Sequence, residues 1–334
     1  LVARWAQPTL RKVACNAAVK KFTASPRACY FRKGKSAMHI VILANPQSWY
    51  RRDLERAAVE RGHRVTALPF ERLTAHVQTG DSKVWGTDTE LSSVDAVIVR
   101  TMPPGSLEQV VVRMNLLARL DAAGVQVLNP PRAIECAVDK YLTTARLVDA
   151  GLPVPKTIVC ENAEAAQEAF EKLGGDVVVK PIFGAEGRGI LRVSDPDLAL
   201  RAFRTLERIG AVLYLQEFVQ HEGFDLRVMV LDGRILAAMR RRSAHDFRTN
   251  VSRQAQAERV EITDREREWA LRASAAVGTR VAGVDILYDR AGAGYVIEVN
   301  GVPGWRALAR VTGCDVAREV VGSLERGKKI EDGG

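Results

Sequence analysis

Along residues 38–130, short apolar runs alternate with helical stretches that end at glycines, and few folds accept that pattern. His39 to Ala44 and Val94 to Val99 are nearly continuous apolar runs. Runs of that length predict strands buried on both faces of a parallel sheet. Between them the spacing predicts a helix from Arg51 to Arg61, stopped by Gly62, and a strand from Val65 to Leu68. Leu107 to Ala123 predicts a second helix, closed by Gly124. Val125 to Leu128 predicts a fourth strand, ended by Asn129-Pro130-Pro131. Strands alternating with helices predict a parallel α/β domain over 38–130.

The chain has 334 residues, too many for that sheet alone, and the pattern changes after residue 130. Asp139 to Ala150 and Asn162 to Leu173 predict helices. Val177 to Lys180 predicts a strand, followed by a glycine-rich loop and a second strand at Ile190 to Val193. Asp195-Pro196 starts a helix that runs to Gly210. This is an α+β unit, bounded at 131–212. From 213 to 330 strands dominate: Val212 to Phe218, Leu226 to Leu231, Ile235 to Met239, Val281 to Tyr288 and Tyr295 to Asn300. Asp232-Gly233 predicts a hairpin turn. Thr263 to Glu266 reads as a capping box, and Asp315 to Arg326 predicts the last helix.

Charge decides what the chain is not. The net charge is +9, with 49 Lys and Arg against 40 Asp and Glu. Residues 1–37 carry basic residues and no acidic ones, and without them the two signs balance. The body therefore does not read as a nucleic-acid-binding domain. The basic leader could be a transit peptide or an RNA- or membrane-binding arm. The preferred expectation is an extension upstream of Met38, disordered or not native, outside the fold. No apolar run is long enough to cross a membrane. The cysteines number 5 and form no C-x-x-C pair, which argues against a disulfide scaffold or zinc ribbon.

Three constellations carry chemistry. Lys180 ends a buried apolar strand just before Gly184, Gly187 and Gly189. A lysine there requires an anion, and glycines let backbone N–H groups approach one closely. Glu298 and Asn300 lie two apart on a strand, so they share a face, and Asp285 sits within a neighbouring apolar strand. Oxygen donors of that kind suit Mg²⁺ completed by phosphates; a buried ion pair with arginine is the alternative. Arg227, Arg240 to Arg242, Arg248 and Asn250 form a basic cluster that could face a phosphate or carboxylate. Two decoys are set aside. Gly322 to Lys328 fits G-x-x-x-x-G-K, but no strand precedes it, and it reads as a frayed helix end. Asn250-Val251-Ser252 fits a glycosylation sequon. The histidines, 5 in number, have no spaced partners.

The order Asp139-Lys140, Val179-Lys180-Pro181, the glycine loop, Gln216-Glu217-Phe218, Asp225-Leu226-Arg227, Arg248-Thr249-Asn250, Gly283-Val284-Asp285 and Glu298-Val299-Asn300 resembles the ATP-grasp ligases. Within them it is similar to the RimK-type α-L-glutamate ligases, from residue 38 to about 327. Asn129-Pro130-Pro131, the segment from Lys180 to Gly184, and Asn250-Val251-Ser252 look most like the tetrahydromethanopterin:glutamate ligase branch. The resemblance implies an ATP-grasp fold preceded by a pre-ATP-grasp α/β domain. It implies that Lys140 and Lys180 bind ATP phosphates, with Gly184, Gly187 and Gly189 above them. Glu217 and Phe218 would form the adenine hinge, and Asp225 would lie near the nucleoside. Asp285, Glu298 and Asn300 would hold Mg²⁺ or Mn²⁺, as two ions. Arg248, Asn250 and Arg227 would face the reacting groups, and Arg100 and Arg241 the substrate. Gly301-Val302-Pro303-Gly304-Trp305 departs from the Ala or Ser and Pro expected after Asn300, and the triple arginine at 240–242 is also unusual.

The implied reaction is ADP-forming. ATP converts a small-molecule or peptide carboxylate into an acylphosphate, and the amine of L-glutamate attacks it to give an amide. A small-molecule kinase and a non-catalytic nucleotide-binding module are the competing classes. A cytoplasmic setting with no membrane and no nucleic-acid partner is expected, and a homo-oligomer is left open.

Overall fold

The computed structural model describes residues 37–184, 188–243 and 256–331. The expected parallel sheet is present. Its strands are β1 (His39–Leu43), β2 (Arg64–Leu68), β6 (Ala96–Val99) and β7 (Gln126–Leu128), in the order β2-β1-β6-β7. All its pairings are parallel. Helix α1 (Trp49–Glu60) is capped by Ser48, whose side chain accepts from the Arg51 N–H. Helix α2 (Leu107–Ala122) opens with a capping box between Ser106 and Gln109.

Residues 69–93 carry structure beyond the elements expected from the sequence. Strands β3 (Leu73–Gln78), β4 (Asp81–Gly86) and β5 (Thr89–Glu90) form a small antiparallel sheet. In β3, Leu73, Ala75 and Val77 alternate with Thr74, His76 and Gln78, the period of a strand, although all but Leu73 are exposed.

Next come α3 (Pro131–Val138), α4 (Lys140–Asp149), β8 (Thr157–Cys160), α5 (Ala163–Lys172), β9 (Val177–Lys180), β10 (Leu191–Val193), α6 (Pro196–Arg208) and β11 (Leu213–Glu217). The strands form an antiparallel sheet in the order β10-β9-β11-β8. Strand β11, expected to open the last unit, pairs instead between β9 and β8. Phe170 of α5 and Phe203 of α6 seal this sheet's core.

The third sheet follows the order β14-β13-β12-β15-β16. It is built from β12 (Phe224–Leu231), β13 (Arg234–Arg242), β14 (Gln256–Arg259), β15 (Val281–Tyr288) and β16 (Gly294–Asn300). Asp232 and Gly233 both take positive φ, 47° and 70°, as a two-residue hairpin turn needs. Helix α7 (Asp264–Val277), opened by the Thr263–Glu266 capping box, covers one face. Helices α8 (Arg306–Thr312) and α9 (Val316–Glu331) return to the first sheet. There Leu308, Val320, Val321 and Leu324 share a core with Ile40 and Ile42. Helix α9 runs through residues 322–329, so the G-x-x-x-x-G-K match is continuous helix rather than a frayed end. Among the described residues no helix is long and apolar enough to cross a membrane.

Candidate active site

Lys140, Lys180, Gly184, Gly189, Glu217, Phe218, Asp225, Glu298 and Asn300 line one cavity of about 880 Å³. It is bounded by the second and third sheets and by the loop after β6. Arg248, Asn250 and Gly187 lie outside the described residues.

Lys180 is the last residue of β9, whose other residues are all buried. Its Nζ donates to Gln216 Oε1 at 2.6 Å. Gln216 in turn donates to Thr157 Oγ1 at 3.0 Å. The lysine thus has a neutral partner, and among the described residues no carboxylate is ion-paired with it. Burial pulls the ammonium down to about 8; Glu298 raises it and nearby Lys140 lowers it further. Lys140 opens α4 next to the cap Asp139, which accepts from the Leu142 N–H at 2.9 Å. Its Nζ donates to the carbonyl of Gly184 at 2.9 Å, pinning the start of the glycine loop. Burial lowers its pKa as well, against the pull of Glu298 and Asp139. Two cations held below their ordinary range beside one cavity suit a polyanion.

At the far end, Glu217 Oε1 accepts from the Lys156 N–H at 2.8 Å. The Arg192 guanidinium lies 3.5 Å over the Phe218 ring, covering one face of it.

The opposite wall is acidic. Glu298 and Asn300 project into the cavity from β16, and strand pairing sets Glu298 opposite Asp285. Asp285, expected as a metal ligand, is ion-paired with arginines in this structure. It accepts from Arg227 Nε at 2.5 Å and Nη2 at 2.6 Å. Arg241 Nη2 lies 3.0 Å from its second oxygen. Burial pushes its pKa up, but Arg227 and then Arg241 outweigh that and hold it below the usual value. Arg241 also donates to both oxygens of Asp225, at 2.7 and 2.5 Å. The register explains this: Asp225 pairs with Arg241, and Arg227 with Asp285, on adjacent strands. Four charges therefore alternate on one sheet face. Arg227 and Arg241, expected at the reacting groups and the substrate, are instead committed to this ion-pair cluster and do not line the cavity.

The oxygens of Glu298 and Asn300 remain for a metal. Hard oxygen donors next to two lysines fit Mg²⁺ that takes the rest of its shell from phosphates and water. Among the described residues no three His, Cys, Asp or Glu converge as a self-sufficient metal cage.

Arg100 does not reach the cavity. Its guanidinium lies 4.8 Å over the Tyr50 ring and 4.4 Å over the Trp305 ring, and burial lowers its pKa to about 10. The wall near it is made by its successors, Thr101 to Pro104, with Val110 of α2 and Ile134 of α3. Their signal was topological: ligands collect beyond the carboxyl ends of parallel strands, and β6 ends at Val99. Gln216 was visible in the sequence but had no assigned task, because its role depends on β9–β11 register.

Two antiparallel sheets gripping one cavity, with lysines and a glycine loop on one side and an acidic strand on the other, define an ATP-grasp enzyme. Residues 137–324 match the RimK-like ATP-grasp domain, and residues 38–134 match the RimK PreATP-grasp domain. The chain is 32% identical over 317 residues to the tetrahydromethanopterin:alpha-L-glutamate ligase of Methanosarcina acetivorans, covering 85% of this chain and 98% of that protein. A probable alpha-L-glutamate ligase of Halorhodospira halophila is 31% identical over 297 residues, covering 87% of this chain and 96% of its own length. The structure of the ATP-grasp ligase PsnB with a phosphomimetic variant of its minimal precursor, Mg and ADP matches with a TM-score of 0.66. It is 27% identical and covers 85% of this chain and 97% of that one. The chain belongs to the RimK-like ATP-grasp family.

Proposed function

We propose that the chain is an ADP-forming carboxylate–amine ligase that adds L-glutamate to a carboxylate of a pterin-type coenzyme, a protein or a peptide. The observation that carries the reading is Lys180, a lowered-pKa cation whose partner among the described residues is neutral, facing Glu298 and Asn300 across a cavity large enough for ATP. The glutamate ligases among its relatives point to L-glutamate as the amine.

Lys140 and Lys180 hold the phosphates, and both gain the anion that their burial calls for. Gly184 and Gly189, with φ of 158° and 74°, let the loop backbone lie close over them. Glu298 and Asn300 would hold Mg²⁺ or Mn²⁺. A second ion would require Asp285 to leave Arg227. When bound, the metal neutralises charge that develops on the transferring phosphoryl group. A substrate carboxylate oxygen attacks the γ-phosphorus, and the bond to the ADP oxygen breaks. The glutamate amine then attacks the acyl carbon and phosphate leaves, while the amine gives up a proton. Acylphosphates hydrolyse in water, so the enclosure between the sheets protects the intermediate. A cytoplasmic setting, where ATP is plentiful, fits such a substrate.

The test is a screen of candidate acids with L-glutamate, read as ADP release and as product mass. The reading expects ADP formation that needs both the acid and the amine. ADP formation with a phosphorylated acceptor and no requirement for an amine would replace it with a kinase.

A further inference from the structure

The segment Gly301-Val302-Pro303-Gly304-Trp305 follows Asn300 directly and has no part in the reaction above. It is held against the first sheet by residues distant in sequence. Asn129, at the end of β7, is 2% exposed. Its Nδ2 donates to the carbonyls of Val281, at 2.8 Å, and Gly301, at 2.5 Å. Its Oδ1 accepts from the N–H groups of Arg280 and Val281, each at 2.8 Å. One side-chain amide thus spends both donors and both lone pairs on two backbone segments. Those segments are the start of β15 and the residue after the end of β16. The two strands meet there, with Gly283 opposite Asn300.

Further along, Trp305 anchors the segment. It is 1% exposed, and its Nε1 donates to Asp53 Oδ2 at 2.9 Å. Its ring lies 5.0 Å from that of Tyr50, with Arg100 stacked over it. Space around the segment is tight: a Cβ on Gly301 would come within 3.0 Å of Ala137 Cβ.

We propose that Asn129 is a positioning residue for Glu298 and Asn300. Its amide fixes the end of β16 against the start of β15, so that both oxygen ligands are presented to the cavity together. The proposal rests on the reading that these two residues hold the metal. Residues that orient metal ligands without touching the metal affect affinity by about 10–100-fold.

The experiment measures Mn²⁺ binding by electron paramagnetic resonance, with ADP present, beside thermal melting of the full chain. Wild type is expected to bind Mn²⁺, and Glu298→Gln to bind it more weakly. Asn129→Ala should raise the Mn²⁺ Kd by about tenfold or more. If Asn129→Ala does not fold, Gly301→Ala serves instead, because its new methyl must displace the segment by a few tenths of an ångström. It should weaken Mn²⁺ severalfold at a near-normal melting point. A folded Asn129→Ala, or Gly301→Ala in its place, that binds Mn²⁺ like wild type overturns the proposal, whatever its melting point. If wild type shows no ADP-dependent Mn²⁺ binding, or if Glu298→Gln binds as wild type does, the metal reading fails and the proposal falls with it.

Discussion

Lys180 on β9 and Arg227 on β12 are both cations set among apolar strands, yet the two sheets treat them oppositely. Arg227 meets Asp285 with two hydrogen bonds, and Arg241 and Asp225 extend the cluster until each charge has a partner. Among the described residues Lys180 meets a neutral amide and no carboxylate, and its pKa is pulled down to about 8. A satisfied cluster specifies how strands lie; a cation left short of a counter-charge specifies what binds. The third sheet's face therefore holds its own shape, whereas the end of β9, an inner strand of the second sheet, presents the cation proposed to receive an anion.

The largest expected effect breaks the satisfied side. Arg227→Met strips Asp285 of its main partner and leaves a buried carboxylate underpaired. Loss of a buried partner costs about 3–5 kcal/mol. Urea unfolding should show a loss of that order, and a change within about 0.5 kcal/mol, the size of ordinary surface substitutions, would mean that the pair is not structural. Next is Glu298→Gln, which removes one negative charge facing the phosphates. Turnover should fall by about 10² or more, since metal stabilisation of the transferring group contributes several kcal/mol. The melting point without nucleotide should hold. Steady-state ADP release with parallel melting checks both, and normal turnover with a lowered melting point would make Glu298 a structural residue.

Part of this contrast is legible in the amino-acid sequence. Strands β1 and β6 were legible because both faces are buried and their runs are continuously apolar. Strand β3 is not among the expected elements, although Leu73, Ala75 and Val77 alternate with polar residues, because its side chains are mostly exposed and join no apolar run. The packing of α9 on the first sheet was out of reach, since nothing local in its sequence names a partner so far back in the chain. Lys180 was legible as a charge ending an apolar strand. Asp285 was legible only as a choice between metal and arginine. The arginine half of that choice depends on register, which sets Arg227 opposite it on β12. Arg100 was legible as a charge at a strand end, but not its stacking on Tyr50 and Trp305, which come from distant parts of the chain.

A sharper comparison comes from Lys180→Met, which removes the underpaired cation but keeps most of its apolar stem. ATP affinity should fall by about tenfold or more, as expected for a charge-assisted contact of roughly 1.5–3 kcal/mol. The melting point should hold or rise. At neutral pH the folded chain carries the full cost of a buried ammonium. That cost lessens only as pH rises from about 8 towards the ordinary lysine value, where the folded state binds fewer protons than the unfolded. A melting point well below wild type with ATP affinity intact would move Lys180 to the structural side of the comparison.

The smallest effect is the most direct test of the claim that Lys180 is the phosphate ligand. Bound phosphate favours the charged lysine, so ATP binding near pH 8 should draw a proton from solution. Calorimetric titration of ATP in two buffers of different ionisation enthalpy measures that uptake. Wild type should take up a fraction of a proton at pH 8, with affinity falling severalfold between about pH 7 and 9, and Lys180→Met should show clearly less of both, Lys140 supplying what remains. Equal proton uptake and an equal pH slope in Lys180→Met would contradict the account, because another group would then be answering the phosphates.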